Sequence, residues 1–338
     1  AEATSMIVQH GVCSPIGWSP EGHGPNCTFV GDHAWMQQTH IAARAPSIIM
    51  GACARNVRSA LEKHTRPWAE KVLDLTGGGM LIFEDEQRAG DPDGSRKYMM
   101  EWASVDKRVR LILAQQLLYP KWSRTQRLAL CRNMLAREAA YHLPTSGMFI
   151  SFDVDCEFPS PAAMLQLLLD GVRLQAKREF DEQRAITARP ARHAWSTWDV
   201  VTVNSVLGMG YYDRWALRSS HLGLDYDCWF DKSAKRQGTC PQINITIHPA
   251  APPFEVESAF NGLAIYRAAA LQASLAGGCE YRGTKNSYVC EHVSFHLCMR
   301  HRGVRIALLP YVEVKCGRPV LVQYPKRNIR VLANGSVS

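Results

Sequence analysis

Short apolar runs alternate with amphipathic stretches through the first half of the chain. Ser47 to Ala54 reads SIIMGACA, a run suited to a buried strand, and helical spacing follows from about Val57 to Leu75, closed by Gly77-Gly78-Gly79. Met80-Leu81-Ile82-Phe83 is a second apolar run, ended by Glu84-Asp85-Glu86, and a helix near Ser95 to Val105 leads to a third run from Val109 to Leu113. Strand, helix, strand, helix, strand in this order predicts a parallel sheet with right-handed crossovers. From Arg124 to about His142 the period is again helical, with Leu128, Cys131 and Leu135 on one stripe. Gly147 to Phe152 then forms a fourth apolar strand that runs directly into Asp153-Val154-Asp155, and an amphipathic helix is expected from Pro161 to about Glu179.

The second half has another texture. Short strand candidates at Asp199 to Val203, Ile243 to Ile247, Leu263 to Tyr266 and Val304 to Leu308 stand between long loops rich in Trp, Tyr, Asp and Gly. Residues 1–45 carry the turn-rich run PIGWSPEGHGPN and read as an irregular arm. The pattern predicts a single large α/β domain, a Rossmann-like mixed sheet flanked by helices, divided into the arm 1–45, a βαβ half 46–160, a second half 161–317 and a tail 318–338.

Composition narrows the picture. With 338 residues, 46% of them hydrophobic, the chain has ample material for a core, which excludes disorder, collagen and coiled coil. No stretch approaches the roughly 18 consecutive apolar residues of a membrane helix, and the opening AEATSMIVQHGVC lacks the order of a signal peptide. No membrane contact is therefore expected of this chain, although an anchor outside it would leave no trace. The 39 Lys+Arg against 31 Asp+Glu give +8, spread along the sequence, which favours anionic ligands. Neither a zinc-finger spacing, an RNP-type aromatic motif nor a basic heptad region is visible, so nucleic acid is not the expected partner.

Eleven cysteines is an odd number, so at least one is unpaired or pairs elsewhere. Cys13 with Cys27, and Cys228 with Cys240, bracket loops and suit disulfides. Cys53, Cys131 and Cys156 lie in apolar segments and read as small buried residues. Sequons at Asn26, Asn244 and Asn334 favour a secretory or Golgi lumen over the cytoplasm.

The segment richest in chemistry is the strand ending in Asp153-Val154-Asp155. Residues i and i+2 of a strand share a face, so both carboxylates can point together from a C-terminal sheet edge, where open parallel sheets place ligands. Two hard oxygen ligands suit Mg²⁺ or Mn²⁺ holding a diphosphate. Arg124, Arg127 and Arg132 on the preceding helix, and Arg55 just past the first strand, are natural phosphate partners. For Arg132-Asn133 a diphosphate or base contact is expected, whereas Arg127 reads as part of a basic surface. Further on, Cys290-Glu291-His292 opens a helix in which His292 and His296 share a face. Glu291 there serves as general base or charge stabiliser, with Glu257 as the rival acid. Cys290, His292, His296, Cys298 and His301 could alternatively bind zinc, though H-E-x-x-H is absent. Aromatics interleaved with acids, among them Asp213, Trp215 and Trp229, suit sugar recognition, and Asn261-Gly262 is a turn fit to expose backbone to substrate.

FISFDVDCEF, preceded by Arg124-Thr125-Gln126-Arg127-Leu128-Ala129-Leu130-Cys131-Arg132-Asn133, resembles the GT-A nucleotide-diphosphate-sugar glycosyltransferases, most nearly the fungal capsule-associated mannosyltransferase family. The resemblance covers roughly residues 46–312. That family tends to read Asn-Asp-Val where this chain has Phe152-Asp153-Val154, so Asp153 carries over more firmly than Asp155. The resemblance implies a GT-A fold and a GDP-mannose-type donor. It also implies a distant histidine completing the shell of a metal on Asp153 and Asp155; His292, His296 and His301 compete for that place, and His296 is carried forward. It implies nucleotide-sugar contacts from Arg55, Arg124, Arg132, Asn133 and Asp153. Contacts to the transferred sugar or its acceptor fall to Asp213, Trp215, Trp229, Asn261, Gly262 and His292. The expected activity is transfer of a hexose from a nucleotide-diphosphate sugar to a glycan hydroxyl. A carbohydrate-binding protein without turnover and a metal-dependent hydrolase are the alternatives.

Overall fold

The computed structural model describes residues 47–85, 91–114, 122–169, 198–206, 210–225, 243–285, 289–317 and 327–338, with the backbone of short strands between 8 and 30 and between 230 and 237. Four parallel strands form the centre of a large mixed sheet: β4 (Ile48–Ala54), β5 (Gly79–Glu84), β6 (Val109–Ala114) and β7 (Met148–Asp153), ordered β7-β4-β5-β6. Beyond β7 the sheet continues through β14 (Leu263–Arg267), antiparallel to both its neighbours, then β9 (Val200–Ser205) and β15 (Ile306–Cys316). The expected strands and the mixed sheet flanked by helices are thus what the chain builds.

Alternation along each strand sorts the core onto two faces. Ile49, Leu81, Phe83, Phe149 and Tyr266 pack under α4 (Arg124–His142), α6 (Ala268–Ala276) and α7 (Glu291–His301). Ile48, Met50, Met80, Ile82, Ile150 and Phe152 face the other way, onto α2 (Arg66–Thr76), α3 (Ser95–Val105) and the helical residues 161–169. Parallel strands covered on both sides read as continuous apolar runs, which is why these strands are legible in sequence. Among the described residues, no helix is long and apolar enough to cross a membrane.

α4 holds three of the cleft's arginines, and its start is fixed locally. Ser123 and Gln126 make a reciprocal capping box, satisfying two otherwise unpaired donors. The hydroxyls of Ser123 and Thr125 donate to the Thr284 carbonyl, docking the polar loop that precedes α7 against this helix end. Gln272 of α6 donates to the carbonyls of Ala140 and Leu143 and ties down the other end.

Two segments differ from expectation. The arm contributes three strands, β1 (Val8–Ser14), β2 (Gly17–Ser19) and β3 (Asn26–Val30), with β3 pairing antiparallel to β6 and extending the sheet. The tail contributes β16 (Arg327–Val331), which pairs in parallel with β12 (Ile243–Ile247). Periodicity misses both, because short strands surrounded by Gly and Pro are specified by their partners.

The cysteines also need correction. Cys53 joins Cys131, Cys156 joins Cys316, and Cys279 joins Cys298. Cys53, Cys131 and Cys156, read as buried thiols, are therefore half-cystines, brought together across 78 and 160 residues by strand and helix docking. The expected Cys13–Cys27 and Cys228–Cys240 pairs lie outside what is described of the side chains.

Candidate active site

A cleft of about 220 Å³ opens beyond the C-terminal ends of β4 and β7. Asp153 closes β7; its backbone N–H donates to the Gly262 carbonyl over 2.9 Å. Asp155 follows in a turn whose Val154 carbonyl accepts from the Thr65 hydroxyl at 2.6 Å. Both carboxylates line the cleft, as alternation predicts, although strand geometry ends at the first of them. Asp155 is solvent-exposed at the cleft mouth, and partial desolvation there, followed by the neighbouring Asp153 carboxylate, raises its pKa.

Four guanidinium groups meet these acids. Arg55, Arg124, Arg127 and Arg132 line the cleft together with Asp85, Asp153 and Asp155, four cations against three anions. Arg132 is buried: its Nη2 donates to Asp153 Oδ1 at 3.1 Å and its Nε to Glu291 Oε1 at 2.9 Å, with its guanidinium 4.5 Å above the Phe260 ring. Burial opposes this charge, but Asp153 and Glu291 outweigh it and raise the pKa, so Arg132 stays a cation. Arg127 reaches Asp85 at 3.0 Å. Burial lowers its pKa, Asp85 works against that, and the nearby Arg55 and Arg124 add to the lowering. Neither Arg55 nor Arg124 makes an ion pair among the described residues. Such a rim is short of anions and suits a polyanionic ligand.

Tyr212 also lines the cleft, and burial with Asp153, Asp155 and Asp213 around it pushes its hydroxyl up to about 12. Asp213 beside it is half-buried, accepts from the Ala216 N–H at 3.1 Å, and its own N–H donates to Asn261 Oδ1. Burial first, then Asp153 and Glu291, push Asp213 up to about 6, against the opposing Ala216 N–H and Arg132.

Several expected site residues are placed elsewhere. Glu291 is buried as the counter-ion of Arg132, so it orients that arginine and has no open path to an acceptor. Glu257 accepts from the N–H and hydroxyl of Ser220 and caps the short turn Ser220–Leu222; it does not line the cleft. Asn133 clamps the backbone of Tyr281 with two hydrogen bonds of 2.9 Å and does not line the cleft. His296 is buried, with Tyr266 on Nε2 at 2.8 Å and Ser258 on Nδ1 at 3.1 Å, and burial depresses its pKa to about 3. Neither it nor His301 joins Asp153 and Asp155: among the described residues no three His, Cys, Asp or Glu side chains are grouped to hold a metal. The zinc alternative fails on the same ground, with Cys298 committed to Cys279.

His292 is buried and stacked on Phe260 at 3.9 Å, away from solvent, and burial with Arg132 nearby drives its pKa well down. Asn261 and Gly262 do form the expected turn, with φ of 55° and 86°, but it is buried. A Cβ at Gly262 would meet the sulfurs of Cys316 and Cys156 at 2.4 and 2.6 Å, so glycine is required by both conformation and space. Trp215 packs against the core, and Trp229 lies outside the described residues.

Two polar cleft residues, Asp85 and Tyr212, escaped the sequence reading, and a third, Arg127, was weighed there but read as basic surface. Asp85 follows a parallel strand as Asp153 does, so the rule that singled out one carboxylate could have found the other. Arg127 lies three residues beyond Arg124 and so on a neighbouring helix face. Tyr212 carried no signal apart from its aromatic neighbourhood.

The donor set is compatible with a divalent cation in one way. Asp153 and Asp155 offer two hard oxygen ligands, and Mg²⁺ or Mn²⁺ commonly takes one or two carboxylates, completing its shell with phosphate oxygens and water.

No protein-family model and no curated protein matches the chain. Among solved structures it is similar to GalNAc-T7 with UDP, GalNAc and Mn²⁺ (10% identity, TM-score 0.47, 82% of this chain and 45% of that one). It is also similar to S. aureus TarS 1–349 (11%, 0.40, 80% and 60%). A third is the mannosyltransferase PcManGT from Pyrobaculum calidifontis in complex with GDP-Man and Mn²⁺ (12%, 0.38, 81% and 61%). The chain spans 45% to 61% of the length of these structures. Likeness at this level adds nothing to what the cleft's own residues show.

Proposed function

We propose that the chain is a GT-A-type glycosyltransferase that moves a hexose from a nucleotide-diphosphate sugar to a glycan hydroxyl. The observation that carries this reading is the convergence of Asp153 and Asp155 with Arg55, Arg124, Arg127 and Arg132 on one cleft at the C-terminal edge of a parallel sheet. Asp153 and Asp155 would hold Mn²⁺ or Mg²⁺ together with the diphosphate, offsetting the charge that develops on the leaving group. Arg55 and Arg124 bind phosphate oxygens, and Arg127 and Arg132, held by Asp85 and Glu291, keep fixed positive charge beside them.

A GDP-mannose-type donor rests on the resemblance of the Arg124–Asn133 helix and the FISFDVD strand to the fungal capsule-associated mannosyltransferases. The three disulfides among the described residues favour an oxidising compartment, in keeping with a secretory lumen. The test is a panel of nucleoside diphosphates with Mn²⁺, read as thermal shift on the wild type and on Asp153→Ala. One nucleotide should raise the wild-type melting temperature only with the cation present, and D153A should lose the effect. A wild type indifferent to every nucleotide would leave the sugar-binding alternative in possession of the site.

A further inference from the structure

We propose that the Cys53–Cys131 disulfide is a redox-sensitive clamp on the cleft, and that its reduction by a dithiol weakens binding of the diphosphate ligand. The inference rests on the reading of the cleft as a nucleotide-diphosphate site. Cys53 stands directly opposite Asp153 in the parallel pairing of β4 with β7, and two residues before Arg55. Cys131 precedes Arg132, the residue that grips Asp153, and lies one helical turn beyond Arg127. The bond therefore joins the strand end that presents Arg55 to the helix that presents Arg124, Arg127 and Arg132, across 78 residues of sequence. Around it, polar links from α4 to the strand ends include the Arg127–Asp85 and Arg132–Asp153 ion pairs, and both involve groups the ligand itself would engage.

The position of this disulfide sets it apart. Cys53 and Cys131 both line the cleft; Cys131 is buried but Cys53 is half-buried, so a reductant meets the bond at the Cys53 sulfur, from the ligand's side. The Cys156–Cys316 pair is sealed under Gly262, with both residues buried, and Cys279–Cys298, half-buried at Cys298, does not line the cleft. In the reaction one thiolate of the dithiol attacks a sulfur of the Cys53–Cys131 bond, which breaks and leaves a mixed disulfide. The second thiol of the reductant resolves it. Two electrons and two protons pass to Cys53 and Cys131 as thiols, and the dithiol departs as a cyclic disulfide. Because ligand and reductant compete for one state of the protein, linkage makes the effect reciprocal: a bound nucleotide protects the bond.

The experiment measures binding of GDP and of UDP, each with Mn²⁺, by calorimetry on the oxidised chain, on the chain after limited dithiol treatment, and on Cys53→Ser/Cys131→Ser. Alkylation and mass spectrometry identify which disulfide has opened, and near-UV circular dichroism reports the fold. The reduced chain and the double variant should bind about tenfold more weakly, the scale expected when a support of a ligand-holding group is removed. Saturating nucleotide should lower the reduction potential of this bond by the equivalent, about 30 mV. If C53S/C131S does not fold, the partly reduced wild type with an unchanged spectrum decides. Equal affinity in the oxidised and reduced chains, or a Cys53–Cys131 bond that outlasts the sealed Cys156–Cys316 bond, overturns the clamp and leaves the nucleotide reading standing. Absence of binding by either form overturns both.

Discussion

Two places in the molecule present an acid where a regular element begins or ends, and the fold treats them in opposite ways. At the end of β7, Asp153 and Asp155 line a cleft, and Asp153 shares only one oxygen, with Arg132. At the start of α7, Glu291 is buried under the same arginine. Residue type and element position are similar, and the difference is desolvation. A carboxylate left at a wet edge keeps oxygens for a ligand, whereas a carboxylate taken out of water must satisfy itself with a fixed partner. Glu291 thereby becomes the support of a cation that lines the cleft.

The comparison can be broken by exchanging phenotypes. The largest effect is expected at the buried acid: Glu291→Ala leaves Arg132 with a weakened counter-charge in a dry site and should cost about 3–5 kcal/mol in urea unfolding. Asp153→Asn should cost no more than about 1 kcal/mol in the same measurement while abolishing the Mn²⁺-dependent nucleotide shift. If the two variants behave alike, the contrast between them is false.

The histidines beside Arg132 give a pH test. His292 and His296 are held neutral, with pKa values depressed from the ordinary 6.5, so their stabilising contribution is present above that value and is lost as the pH falls below it. His292→Leu should flatten the loss of melting temperature between pH 7 and pH 5, since neither ring nitrogen of His292 finds a hydrogen-bond partner. An unchanged slope counts against this account.

Asp213 runs the other way, with a pKa raised from 3.8 to about 6. Its contribution is full below 3.8 and is lost as the pH rises through 6. Asp213→Asn should therefore be the more stable protein at pH 7, by on the order of 1 kcal/mol after allowance for solvent screening, and should lose that advantage by pH 4. The smallest change is expected at Glu257→Ala, a lost cap of about 1 kcal/mol or less with nucleotide binding intact.

The central strands, α3, α4, α7 and the outline of the cleft were legible because their signals are local. Apolar runs specify β4 to β7, and a helical stripe specifies α4. The placement of Asp153 followed from one general rule about parallel sheets. The same rule, applied evenly, would have brought in Asp85. What was misjudged depends on partners distant in sequence. Asn133 looked like a ligand contact and holds the Tyr281 backbone, 148 residues away. His296 looked like a metal ligand and completes a buried hydrogen-bond chain with Ser258, Tyr266 and Tyr281.

The sequence by itself determined which central segments are strands and helices, that the sheet is covered on both faces, and that two aspartates stand at the end of its fourth long strand. Periodicity encodes these directly, since each depends on neighbours a few residues away. Only the tertiary structure decided which cysteines pair, which arginines reach the cleft, and which acids keep an oxygen for a ligand. Those outcomes turn on how much water each group loses and what meets it when helices dock on the sheet, and no short stretch of sequence carries that information.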